Sequence, residues 1–136
     1  MSRIYVDACT IIYLVEGAQP FQAQARARIA QLRTGAGAAV LTSRLARLEC
    51  RTVPLRENNQ SLLAEYAVFF APADLELVDI DSAVIERATE LRARYRLKTP
   101  DAIHLATAIE AQADVFLTGD ADLQRCTEAK VEVLQP

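Results

Sequence analysis

Four carboxylates stand at the ends of short apolar runs or within helical stretches. Asp7 follows "RIYV", Glu49 lies within "TSRLARLECR", Asp101 within "LKTPDAIHLA", and Asp120 within "TGDAD". Each has a local explanation. Asp7 and Asp120 can cap the turns that follow them. Asp101 complements the dipole of a helix for which Thr99 is a good N-cap and Pro100 a good first-turn residue. Glu49 fits its local explanation worst: flanked by apolar residues and by Arg47 and Arg51, it must find a partner if it is buried. Together the local explanations weaken, because crowded acids raise one another's pKa unless a cation neutralises them. An all-oxygen cluster selects a hard ion such as magnesium or manganese. Such an ion binds phosphate oxygens, activates water and stabilises a leaving oxygen. Helix N-termini beside the site would add dipoles suited to phosphate. The chemistry that follows is metal-assisted phosphodiester hydrolysis.

The remaining candidates are weaker. His104, the chain's only histidine, lies one helical turn after Asp101. It reads either as a packed, hydrogen-bonded helix residue or as a group behind the acids or against RNA. Arg44, Arg47 and Arg51 recur at spacings of three and four, which makes either a solvated face or a phosphate-guiding one. Asp122 reads as a turn residue with an auxiliary contact to the site, and Asp79 and Asp81 as caps for the next helix. No GxSxG elbow, Walker loop or GxGxxG is present. Cys9 occupies the place where a phosphoaspartate enzyme needs its second acid. A receiver domain would need a phosphoacceptor acid where "LTSR" stands.

Something must bring these residues together. Short apolar runs at 3–7, 39–43, 75–80, 115–119 and 131–135 read as strands. Helical stretches are expected near 10–17, 20–34, 43–57, 60–71, 82–96 and 100–112, with a short turn at 120–126. Val84, Ala88, Leu91 and Tyr95 make the clearest helical stripe. Strands alternating with helices imply βαβ units. The expected fold is therefore α/β, a three-layer α/β/α sandwich around a central, mainly parallel five-stranded sheet. Ligands of such sheets gather beyond the carboxyl ends of the strands, near a switch in strand order. Asp7, Asp101, Asp120 and Glu49 can all reach that end.

Composition sets outer bounds. A chain of 136 residues, half apolar and about a quarter charged, is expected to form one domain over 1–136. Its apolar runs are too short to cross a bilayer, and "MSRIYVDACT" lacks the layout of a signal peptide. Cys9, Cys50 and Cys126 are scattered without a CxxC pair, which fits a reduced, cytoplasmic setting and neither a disulfide framework nor a zinc site. The net charge of −3 excludes a polycation, although thirteen Arg against two Lys favour bidentate phosphate contacts.

With these residues in hand, the chain resembles the PIN-domain ribonucleases, and among them the VapC-type toxins of toxin–antitoxin pairs. The resemblance runs through "YVDACTIIYLVEG", "TSRLARLECR" and, most specifically, "LKTPDAIHLATAIEAQADVFLTGDADL". It implies that Asp7, Glu49, Asp101 and Asp120 carry Mg2+ or Mn2+, with Asp122 auxiliary and Thr118 as the hydroxyl beside the site. Many relatives place Thr then Ser or Asn after the first acid, where this chain has Ala8 and Cys9. Thr10 is the expected substitute for positioning Asp7. The resemblance further implies an RNA substrate, a homodimer, a small VapB-like antitoxin and no membrane. Residues 60–71 are apolar on more faces than one core needs, which suits a dimer or antitoxin surface. Two other readings keep the fold: an RNA-processing nuclease without an antitoxin, and a catalytically silent module that binds RNA or a partner.

Overall fold

The computed structural model describes residues 2–135; both bounds of the expected domain, 1 and 136, lie just outside them. Five strands form one sheet: β1 (Arg3–Val6), β2 (Ala39–Ser43), β3 (Leu75–Val78), β4 (Val115–Thr118) and β5 (Val131–Val133). Their order is β3-β2-β1-β4-β5, and every pairing is parallel, so the sheet is wholly and not just mainly parallel. The chain steps outward from β1 to β3, then returns to the other side of β1 for β4. The switch in strand order therefore lies between β1 and β4.

Six helices cover the sheet: α1 (Ala8–Glu16), α2 (Phe21–Leu32), α3 (Arg44–Arg56), α4 (Gln60–Phe70), α5 (Ser82–Tyr95) and α6 (Thr99–Glu110). Strand alternation divides the core in two. Tyr5, Leu41 and Phe116 pack with Val84, Ala88, Leu91 and Leu105 from α5 and α6. Ile4, Val6 and Leu117 face the other way, onto Ile11, Ala25, Ala46 and Tyr66 from α1 to α4. The result is the expected three-layer sandwich, and the stripe of α5 is buried at Val84, Ala88 and Leu91 with Tyr95 at its margin.

Several local expectations need correction. Thr99 is not the N-cap of α6 but its first residue. Lys98 holds the extended cap position, and its carbonyl accepts from the Ala102 N–H at 3.0 Å. Pro100 then falls within the first turn, where its missing N–H costs nothing. Asp81 caps α5 by accepting from the Val84 N–H at 3.0 Å, whereas Asp79 caps nothing and pairs with Arg44 at 2.6 Å. Helix α1 starts at Ala8, two residues earlier than expected, because Asp7 itself is the cap. The strands at 75–80 and 131–135 stop at Val78 and Val133. The turn near 120–126 is a 3-10 helix over Ala121–Arg125.

Candidate functional site

Asp7 directly follows β1 at the switch point and is almost fully buried. Its Oδ1 accepts from the Thr10 N–H at 3.0 Å, which caps α1. Its Oδ2 accepts from the Thr118 hydroxyl at 2.5 Å, across the β1–β4 junction. Burial pushes the carboxyl above its usual range, and these two donors oppose that shift. The hydroxyl that steadies Asp7 is thus that of Thr118. The hydroxyl of Thr10 donates to the Leu117 carbonyl at 2.8 Å, so the main hydrogen bond from Thr10 to Asp7 is that of its backbone, with the hydroxyl adding a smaller downward pull on the carboxyl.

Thr118 serves two acids. Its oxygen also accepts from the Asp120 N–H at 3.1 Å, while Asp120 Oδ1 accepts from the Asp122 N–H at 2.9 Å. Asp120 therefore caps the 3-10 turn and remains exposed beside the cavity. Asp122 is exposed as well, but it is outside the cavity lining.

Asp101, half-buried in the first turn of α6, is pushed above the usual carboxyl range by burial and then by the negative charge of Asp120, with a further push from Asp7. Glu49 comes from the middle of α3. Leu48 beside it is exposed, and the buried stripe of α3 is Ala46, Cys50 and Pro54. The partner that a half-hidden Glu49 needs is His104: Nε2 lies 2.6 Å from Glu49 Oε1, and Nδ1 lies 2.7 Å from the Tyr5 hydroxyl. His104 is only 4% exposed, so it is a packed, hydrogen-bonded residue behind the acids, with no surface to offer RNA.

The four acids, with Ala8, Cys9 and His104, line one cavity of about 180 Å³ at the carboxyl end of the sheet. The donor chemistry fits a hard divalent cation: carboxylates from four elements, with Asp7 pushed upward by burial and Asp101 by burial and the neighbouring acids. As the side chains stand, no three acidic, histidine or cysteine groups among the described residues close on one point. Burial pushes the Cys9 thiol up, away from the thiolate that a nucleophile needs. Arg44, Arg47 and Arg51 share α3 with Glu49. Arg44 is tied to Asp79, while Arg47 and Arg51 make no ion pair among the described residues. Tyr5 is the one member of this network outside the expected site residues, although it opens the stretch "YVDACTIIYLVEG" two places before Asp7.

Comparison with known proteins bears on this arrangement. Among curated proteins none matches the chain. Among solved structures it is similar to VapBC-1 from nontypeable Haemophilus influenzae, at TM-score 0.79 and 14% identity over 97% of this chain and 98% of that one. A toxin–antitoxin complex from Klebsiella pneumoniae gives 0.70 and 22% over 97% and 98%. VapC20 of Mycobacterium tuberculosis, a toxin that cleaves the sarcin–ricin loop, gives 0.71 and 18% over 91% and 95%. At such identities the likeness is one of fold. The sequence itself matches the family model of the PIN domain over residues 4–129, and the chain belongs to the PIN-domain family.

Proposed function

We propose that this PIN domain is a metal-dependent endoribonuclease that acts as the toxin of a toxin–antitoxin pair, one nuclease domain spanning the chain. The observation that carries the reading is the meeting of Asp7, Glu49, Asp101 and Asp120, from four separate elements, on one cavity at the strand-order switch. Asp7, Asp101 and Asp120 would hold Mg2+ or Mn2+, with Glu49 as a fourth ligand or as the base for the attacking water, and Asp122 auxiliary. A bound divalent cation supplies charge neutralisation at the phosphate and a more acidic water. Asp7 is rigidly held by Thr118 and the Thr10 N–H, which suits an anchor. Glu49 is positioned to accept a proton, and Arg47 and Arg51 can meet the phosphates that flank the scissile bond.

The partner reading draws on the surface. Leu48, Val53 and Leu55 of α3 and Val68 of α4 are exposed, Val68 at 73%. These exposed apolar side chains would suit a second copy or a small antitoxin of the VapB kind. No helix among the described residues is long and apolar enough to cross a membrane.

The test is a cleavage assay. Purified protein is incubated with total RNA and magnesium or manganese, and the new RNA ends are sequenced. Discrete internal cuts that vanish on chelation support the nuclease. Growth arrest on induction, relieved by the product of a small adjacent reading frame, supports the toxin, and robust growth with intact cleavage favours RNA processing instead.

A further inference from the structure

Three of the four acids are placed by their own stretch of chain: Asp7 and Asp120 cap helical turns, and Asp101 lies in the first turn of α6. Glu49 has no such local anchor. It sits mid-α3 on a long, rotatable side chain, 31% exposed, and its contact among the described residues is through Oε1 to His104. What holds His104 is therefore what holds Glu49. The His104 ring lies edge-on to Tyr5, with centroids 5.8 Å apart and planes at 67°. Tyr5 is fully buried and stacks on Phe116 at 5.2 Å, its register partner across the β1–β4 pairing. Burial keeps the Tyr5 phenol well above its usual range, so it is a neutral O–H. A neutral imidazole facing a carboxylate satisfies both contacts in one way: Tyr5 donates to Nδ1, and Nε2–H donates to Glu49.

We propose that His104, oriented by Tyr5, is a positioning residue that fixes Glu49 through Oε1 and leaves Oε2 as its free acceptor on the cavity. The role in catalysis rests on the nuclease reading; the brace itself does not. A mid-helix acid is thereby tied to the centre of the sheet, which carries Asp7 two residues beyond Tyr5. Partners of this kind behind a ligand typically change metal affinity or activity by about 10- to 100-fold when removed.

The single histidine makes the test clean, because the imidazole 15N spectrum reports His104 alone. The proposal expects a protonated Nε2 in the metal-free protein, with its signal shifted in Glu49→Gln and in Tyr5→Phe. A bare Nε2, or one averaged between tautomers, overturns it. Manganese titration by calorimetry and metal-dependent cleavage follow on His104→Phe, which keeps the ring but loses the donor, and on His104→Gln, which returns an N–H near Nε2. Expected are metal affinity or kcat about tenfold or more lower in the Phe variant, substantial recovery in the Gln variant, and no further loss when His104→Phe is added to Glu49→Gln. Parent-like metal binding and cleavage in a folded Phe variant overturn the brace, as does full additivity with Glu49→Gln. A parent that binds manganese and shows the expected tautomer but never cuts RNA sinks the nuclease reading while the brace stands.

Discussion

Thr118 reaches across the β1–β4 junction to place its hydroxyl 2.5 Å from Asp7 Oδ2, and the same oxygen accepts from the Asp120 N–H. One fully buried hydroxyl thus fixes two acids from strands far apart in sequence. Thr118→Val keeps the shape but leaves the buried Asp7 oxygen and the Asp120 N–H without a partner. Chemical denaturation should show a loss of about 1–3 kcal/mol, with cleavage reduced and Thr118→Ser much closer to the parent. Equal stability of the Val and Ser variants would remove Thr118 from this role.

Asp7 gives the metal-free protein a pH signature. Its carboxyl sits above its ordinary range in the folded state, chiefly through burial. The folded protein therefore holds that proton more tightly than the unfolded chain. The associated stability is fully present below the unfolded pKa and is lost as pH rises through the folded one. Asp7→Asn lacks the charge, and the Thr118 hydroxyl can turn to accept from the new amide. With a chelator present, thermal melts should show Asp7→Asn gaining on the parent as pH rises from about 4 toward about 8. Added magnesium should close the gap by stabilising the parent. An Asn variant that melts below the parent at the alkaline end without metal would contradict the buried-charge reading.

Gly119 links Thr118 to Asp120 and lies against Tyr13. A methyl group there would meet the Tyr13 ring at 2.6 Å and Cys9 Sγ at 3.0 Å. Tyr13, stacked on Phe21 with centroids 4.5 Å apart, would have to move off that stack. Gly119→Ala should cost about 1–3 kcal/mol and disturb the near-ultraviolet dichroism of the tyrosines, with weaker cleavage because Asp120 follows directly. An unchanged spectrum with unchanged stability would show that the methyl group is taken up without displacing the Tyr13 ring, contrary to this account.

How much of this could be read from the chain? The five strands, their parallel pairing and the end at which the acids gather follow from alternation and spacing, because periodicity reports burial directly. Asp7 and Asp120 were legible because each caps a helical turn just beyond a strand end, and Asp101 because it lies in the first turn of a helix that leads into a strand. The Tyr5–His104–Glu49 contacts join residues 99 and 55 positions apart, and nothing local encodes them. Likewise the choice between the Thr10 and Thr118 hydroxyls depends on which strand lies beside β1. Asp79 and Asp81 look alike in "VDIDSAV"; only the position of Arg44 decides which one is drawn into an ion pair.

Arg47 and Arg51 should act on RNA and leave the fold alone. Substituting either with Ala should weaken RNA binding and leave the melting temperature near the parent's. The log–log salt dependence should flatten by about 0.7 for each phosphate no longer neutralised. Arg44→Ala should do less, since Arg44 is already engaged by Asp79. Filter binding over a range of salt concentrations reads this out. Slopes identical to the parent's in both the Arg47 and Arg51 variants would move the RNA path off α3.

If carboxylates on this cavity run a metal-dependent cut in RNA, Asp101→Asn should stop it. Asp101 is pushed up by burial and then by the Asp120 charge across the cavity, and removing its own charge relieves that repulsion without opening the core. An end-labelled RNA is incubated with parent and variant, with magnesium or manganese and again with excess chelator. Internal cuts are expected from the parent with metal alone, and none above background from an Asp101→Asn protein whose dichroism and melting match the parent's. Cleavage by the folded variant at the parent's rate, or cleavage by the parent that survives the chelator, would contradict the metal-dependent nuclease.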